Sequence, residues 1–277
     1  MNYWTIEKSL SFFVIFGRFL LVFCHVREMR VIMVLVNRMT INIGTITVNY
    51  IQYGEGEDVV LLHGWGQNIQ MMDPLGKKLV NKRVTILDLP GFGETNEPDF
   101  VFDVHDYTEF LHEFLKQVQV KKPILIGHSF GGRIAICYAA KYPVEKLILF
   151  GAPCIREKVK PSLKVKVLKT LKTVPGLNRL SEVAKKFIGS SDYRNATPRM
   201  RDILVKVVNE DLSKEAAKIS VPALLIWGSE DVAAPVEDAK KMESLMKDAA
   251  LIVLDGYTHY AYLEALPRVV SILEHFI

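Results

Sequence analysis

Residues 123–132, Pro-Ile-Leu-Ile-Gly-His-Ser-Phe-Gly-Gly, leave few folds open to this chain. Residues 123–126 are a short apolar run with the length and branching of a buried strand. Residues 133–141 place Ile134, Ala135, Tyr138 and Ala139 at helical spacing. Between them stands Gly127-His128-Ser129-Phe130-Gly131. A serine held in a sharp strand-to-helix turn calls for glycine two residues to either side, because the backbone there packs too closely for side chains. Such a turn sets the Ser129 hydroxyl at a helix N-terminus, where free N–H groups and the helix dipole favour developing negative charge. Taken alone, the pattern also fits an ordinary strand–turn–helix connection with an exposed serine. The rest of the chain decides between the two.

Solid apolar runs alternate with helical patterns through most of the sequence. Residues 41–53 read as two short strands turning at Gly44, and residues 59–62, 84–87, 146–150, 221–227 and 251–254 as further strands. A helix is expected over 69–80, with Pro74 near its start, and another over 261–276. Asp103 is a candidate N-cap for a helix that carries Tyr107, Phe110, Leu111, Phe114, Leu115 and Val118 on one face. Strands apolar on both faces and separated by helices imply a mostly parallel sheet covered on both sides. The block 154–219 breaks this rhythm with helical stretches and no clear strand. It reads as a helical cap inserted after the sixth sheet strand, between core segments 39–153 and 220–277.

The 277 residues suffice for one large α/β domain with an insertion. A net charge of +4 gives no case for nucleic-acid binding. Cys24, Cys137 and Cys154 are odd in number and have no metal-ligand spacing, so they read as reduced thiols in a cytoplasmic protein with no metal and no cofactor. Residues 1–38 differ from the rest. Residues 10–26 are almost continuously apolar, but Arg18 interrupts them and the flanks do not suit a signal peptide. The expectation is that the folded domain starts near Met39, with a weak membrane anchor in residues 10–26 as the alternative.

From about residue 41 onward the chain resembles the α/β-hydrolase family. The resemblance rests on His63-Gly-Trp-Gly66, Asp88-Leu-Pro-Gly-Phe-Gly93, Gly127-His-Ser-Phe-Gly131, Gly228-Ser-Glu-Asp231 and Gly256-Tyr-Thr-His259, each after a strand and in family order. It implies an α/β-hydrolase fold and a catalytic triad of Ser129, Asp231 and His259. It also implies an oxyanion hole made by the backbone N–H groups of Trp65 and Phe130. Among the other histidines, His63 reads as a brace for its loop and His128 as projecting away from the serine. His105 and His112 lie seven apart on the polar face of a helix, where solvent is expected. Glu230 is the main rival to Asp231, while Asp88 belongs to a structural loop and Asp255 stands too close to His259 in sequence.

The implied chemistry is hydrolysis of small or medium acyl esters through an acyl-enzyme. Thioesters, lactones, carbon–carbon bonds and perhydrolysis use the same triad, and a non-catalytic ligand-binding receptor can keep one. The cap is basic between Arg156 and Lys186, with an apolar stripe that includes Leu163, Val167 and Leu171. This reads as an amphipathic helix with solvated lysines. The sharper reading is attraction of an acidic carrier protein, because two motifs are similar to those of the pimeloyl-carrier-protein methyl esterases.

Overall fold

The computed structural model describes residues 13–16, 19–22, 38–156, 193–194 and 196–277. Within the apolar run 10–26, β1 (Phe13–Phe16) and β2 (Phe19–Val22) pair antiparallel, Phe13 opposite Val22. They belong to a separate compact unit, residues 1–35. The second unit is residues 36–277. It contains, in order, β3 (Arg38–Ile43), β4 (Ile46–Tyr53), β5 (Glu57–Leu62), α1 (Ile69–Gly76), β6 (Lys82–Leu87), α2 (Val104–Gln117), β7 (Ile124–His128), α3 (Phe130–Lys141) and β8 (Lys146–Phe150). There follow α4 (Pro198–Val207), α5 (Ser213–Ala216), β9 (Ala223–Gly228), α6 (Val236–Leu245), β10 (Ala249–Leu254), α7 (Ala261–Glu264) and α8 (Leu266–Phe276).

The eight strands β3 to β10 form one sheet in the order β10-β9-β8-β7-β5-β6-β4-β3. The six from β10 to β6 run parallel, and β4 and β3 add an antiparallel edge. Alternation along each strand explains why the runs are apolar throughout. Val60, Leu62, Leu125, Leu147 and Leu149 face one layer, with α2, α3 and α6. Val59, Leu61, Ile126, Ile148 and Phe150 face the other, with α1, α7 and α8. The strand order reverses at β5, which has β6 on one side and β7 on the other. Loops leaving the carboxyl ends of β5 and β7 therefore diverge and open a crevice, the usual ligand position in such sheets.

Local chemistry sets the helix ends. Asp103 caps α2 through a reciprocal capping box with Asp106. Its buried stripe is Tyr107, Phe110, Leu111, Phe114 and Leu115, as expected, with Val118 at the C-cap. α1 is shorter than its periodicity suggests. It carries Pro74 inside and closes at Gly76, after which Lys78 and Leu79 make three-residue turn bonds instead. Between β8 and β9 the described residues include the helices α4 and α5, with Tyr193 and Arg194 also helical, and no strand. The basic and apolar stripes beyond Arg156 fall in 157–192, outside the described residues.

Candidate active site

Ser129 occupies the turn between β7 and α3 with φ 50° and ψ −112°, a left-handed conformation that a serine adopts only at a cost on the order of 1–3 kcal/mol. Two bonds hold it there. Its N–H donates to the Phe150 carbonyl at 2.9 Å, and its carbonyl accepts the Arg133 N–H at 3.1 Å. Close approach explains Gly131. A β-carbon there would meet the Leu62 carbonyl oxygen and lie 2.6 Å from that of His63. The helix after the serine is thus pressed against the end of β5, where the His63–Gly66 loop begins.

His259 follows β10, and Asp231 follows β9. The His259 Nδ1 donates to Asp231 Oδ2 at 2.8 Å. Asp231 is buried, and its other oxygen accepts the N–H groups of Ala233 and Ala234 at 2.9 and 2.8 Å. Three donors therefore fix the carboxylate. Because a carboxylate only accepts, Nδ1 of His259 carries a proton, and in the neutral ring the lone pair is on Nε2. Glu230 is exposed and Asp255 turns to the Ser229 hydroxyl, so neither competes for His259.

Two links tie the segment carrying Ser129 to this pair. Phe150, which holds the Ser129 N–H, is followed by Gly151. A β-carbon on Gly151 would lie 2.9 Å from His259 Nδ1 and 3.0 Å from Asp231 Oδ2. The second link is His128, the residue before the serine. Its Nε2 donates to the His259 carbonyl at 3.1 Å, and its Nδ1 lies 3.2 Å from Oε1 of Gln67. His128 is buried against the rings of His259 and Tyr262, and burial pushes its imidazole down to about 3. Neither Gly151, Gln67 nor the bridging role of His128 stands out in the sequence. His128 was expected to project in a different direction from the serine, and its ring bonds Gln67 and the His259 carbonyl, which ties the serine's strand to the backbone of His259.

The loop after β5 is braced from below. His63 is fully buried, donates from Nδ1 to the Gly64 carbonyl at 2.7 Å and accepts the Leu89 N–H at Nε2 at 2.9 Å. Burial pushes its imidazole down to about 4, so the ring stays neutral and serves both bonds. Asp88 collects the Ile69 N–H at 2.8 Å, the Asn49 amide at 2.7 Å and the Glu94 N–H at 2.9 Å. Trp65 and Phe130 stand ring to edge at 5.3 Å, with Phe92 packed on both. Among the described residues no hydrogen bond uses the N–H of either Trp65 or Phe130.

One expectation is corrected. His112 is not solvated like the exposed His105. It is half-buried and stacks on Tyr142 at 3.8 Å, nearly parallel, because α3 packs its last turn against that side of α2. Cys137 and Cys154 are free and buried, and burial raises both thiols to about 12. Among the described residues no group of His, Cys, Asp or Glu is placed to hold a metal, and no helix is long and apolar enough to cross a membrane.

The sequence profile of the Alpha/beta hydrolase family matches residues 59–272. The chain belongs to the alpha/beta hydrolase family. It is 26% identical to the AB hydrolase superfamily protein YisY of Bacillus subtilis, over 80% of this chain and 92% of that one. It is 27% identical to a pimeloyl-[acyl-carrier protein] methyl ester esterase of Aliivibrio fischeri, over 81% and 95%. Among solved structures it is similar to a putative lipase from Acinetobacter baumannii, with TM-score 0.70, 24% identity and coverage of 87% and 90%.

Proposed function

We propose that the protein is a serine hydrolase that cleaves carboxylic esters of small or medium acyl groups through an acyl-enzyme. Ser129 is the nucleophile, His259 the base and Asp231 the group that orients it. His259 Nε2 takes the hydroxyl proton as Ser129 Oγ attacks the ester carbonyl. The oxyanion that forms is held by the N–H groups of Trp65 and Phe130, and donors of this kind are worth ~10²–10³ in rate each. His259 then returns the proton to the leaving alcohol, and water, activated by the same imidazole, releases the acid. The observation that carries this reading is the 2.8 Å His259–Asp231 bond beside Gly151, next to the residue that holds the Ser129 N–H.

The test is a series of p-nitrophenyl esters of rising chain length with Ser129→Ala as control. Turnover of the shorter esters, abolished in the variant, is expected. Activity that survives Ser129→Ala would overturn the assignment.

A second reading has a specific support. The Aliivibrio fischeri relative is named for a carrier-bound methyl ester, and residues 156–186 are rich in lysine and arginine. A carrier-borne acyl ester as substrate would make activity fall steeply with salt, while small neutral esters would not respond. An equal fall for both would remove this reading. The buried free thiols support a cytoplasmic setting for either.

A further inference from the structure

Beside the Trp65 loop lies a cleft of about 300 Å³ whose walls include Trp65, Phe92, Glu97, Thr197 and Met200. Its size is at the lower end for small-molecule sites. The lining is mixed, with apolar faces from Trp65, Phe92 and Met200. Trp65 and Phe92 meet edge to face at 4.8 Å, and Met200 projects from the first turn of α4. Glu97 is the charged residue among them, and the triad makes no use of it.

Half of the Glu97 carboxylate is already committed. Thr197 caps α4 by accepting the Met200 N–H at 3.2 Å, and its hydroxyl donates to Glu97 Oε2 at 3.1 Å. Among the described residues Oε1 has no hydrogen bond, and no lysine or arginine pairs with Glu97. A half-buried carboxylate therefore stands in a cleft that also presents Trp65, Phe92 and Met200, with one oxygen unbonded among the described residues. Its charge acts on any chain held between Trp65, Phe92 and Met200.

We infer that Glu97 sets the charge selectivity of this cleft: chains that are neutral or end in a cation enter it, and chains that end in a carboxylate are turned away. The inference rests on the ester-hydrolase reading, since the cleft adjoins Trp65, whose N–H is assigned to the oxyanion hole. It names the substrate class that the triad leaves open. A chain that leaves the reacting carbonyl by way of Trp65 and Phe92 would enter the cleft that Glu97 lines. A terminal hydroxyl or ammonium there meets an acceptor, whereas a carboxylate meets a like charge.

The test compares three esters of equal chain length and leaving group: p-nitrophenyl hexanoate, mono-p-nitrophenyl adipate and p-nitrophenyl 6-trimethylammoniohexanoate. Ser129→Ala sets the background. The wild-type kcat/KM for the neutral ester is expected to exceed that for the carboxylate ester about tenfold or more, the effect of one like charge within roughly 10 Å at an effective dielectric near 20. Glu97→Gln keeps an oxygen for Thr197 but removes the charge, and the ratio is expected to fall about tenfold, mainly through KM. Glu97→Lys is expected to invert it. An unchanged ratio in Glu97→Gln overturns the inference. So does a ratio that moves only in Glu97→Ala, because Glu97 would then be no more than a latch for α4. If the wild type cleaves none of the three, the ester-hydrolase reading itself fails and takes the inference with it.

Discussion

The β-carbon that Gly151 lacks would stand 2.9 Å from Nδ1 of His259. It would also lie 3.0 Å from Oδ2 of Asp231, against the hydrogen bond between the two side chains. Gly151 further has φ 50°, which a larger residue adopts only with strain. Gly151→Ala is therefore expected to push the imidazole aside and lower kcat/KM by about 10²-fold or more, since displacements near 1 Å have costs of this size. Kinetics on a short p-nitrophenyl ester, with circular dichroism to confirm folding, checks this. A folded Gly151→Ala protein with wild-type kinetics would show that the pair does not need its present geometry.

Asp231→Asn separates orientation from packing. Asparagine keeps an oxygen for the Ala233 and Ala234 N–H groups, but it can present its amide to His259 and favour the wrong tautomer. A fall in kcat of about 10⁴-fold with little change in unfolding midpoint is expected. A fall below tenfold would remove Asp231 from the triad.

Stability should weaken in acid through His63 and His128. Burial holds both neutral in the folded state, down to about 4 and about 3. Both values lie below the ordinary histidine value near 6.5, so the unfolded chain takes up protons first as pH falls. The stabilisation is fully present above about pH 6.5 and is lost as pH falls toward 4 and then 3. Each group contributes on the order of 1.4 kcal/mol per pH unit across that window. Urea unfolding at pH 7, 6 and 5 measures the slope, and His128→Gln is expected to remove about half of it between pH 6 and 5. An unchanged slope in the variant would contradict the burial argument.

Asp88 acts at a distance from the chemistry. Asp88→Ala would leave the buried Ile69 N–H and the buried Asn49 amide without their acceptor, and free the Glu94 N–H as well. A loss of about 3 kcal/mol or more in urea unfolding is expected. A loss under about 1 kcal/mol would mean that water or a neighbour replaces the carboxylate.

The parts of the candidate site that were legible in the sequence are those that sit beside glycines at strand ends. Ser129, Asp231 and His259 each follow an apolar run and a turn, so local pattern marks them. The sheet was legible for the same reason, because strands buried on both faces carry few polar positions. Contacts between distant segments were not. Gly151 reads as an ordinary turn residue until β8 lies beside β9 and β10 brings His259 alongside. His128 meets a carbonyl 131 residues away. His112 falls on a polar helical face by spacing and is covered only because Tyr142, on another segment, stacks on it. Helical periodicity also ran past the true end of α1, since three-residue turns after Gly76 keep apolar residues at similar spacing.

The central claim is that Ser129 is the atom-bearing nucleophile and that His259 activates it. Treatment with diethyl p-nitrophenyl phosphate followed by peptide mass spectrometry tests it most directly, because the reagent phosphorylates only an activated nucleophile. A single diethylphosphoryl adduct on the peptide containing Ser129, parallel loss of esterase activity, and no adduct in Ser129→Ala or His259→Ala are expected. An adduct on another residue, or full esterase activity in a protein stoichiometrically labelled at Ser129, would contradict the account.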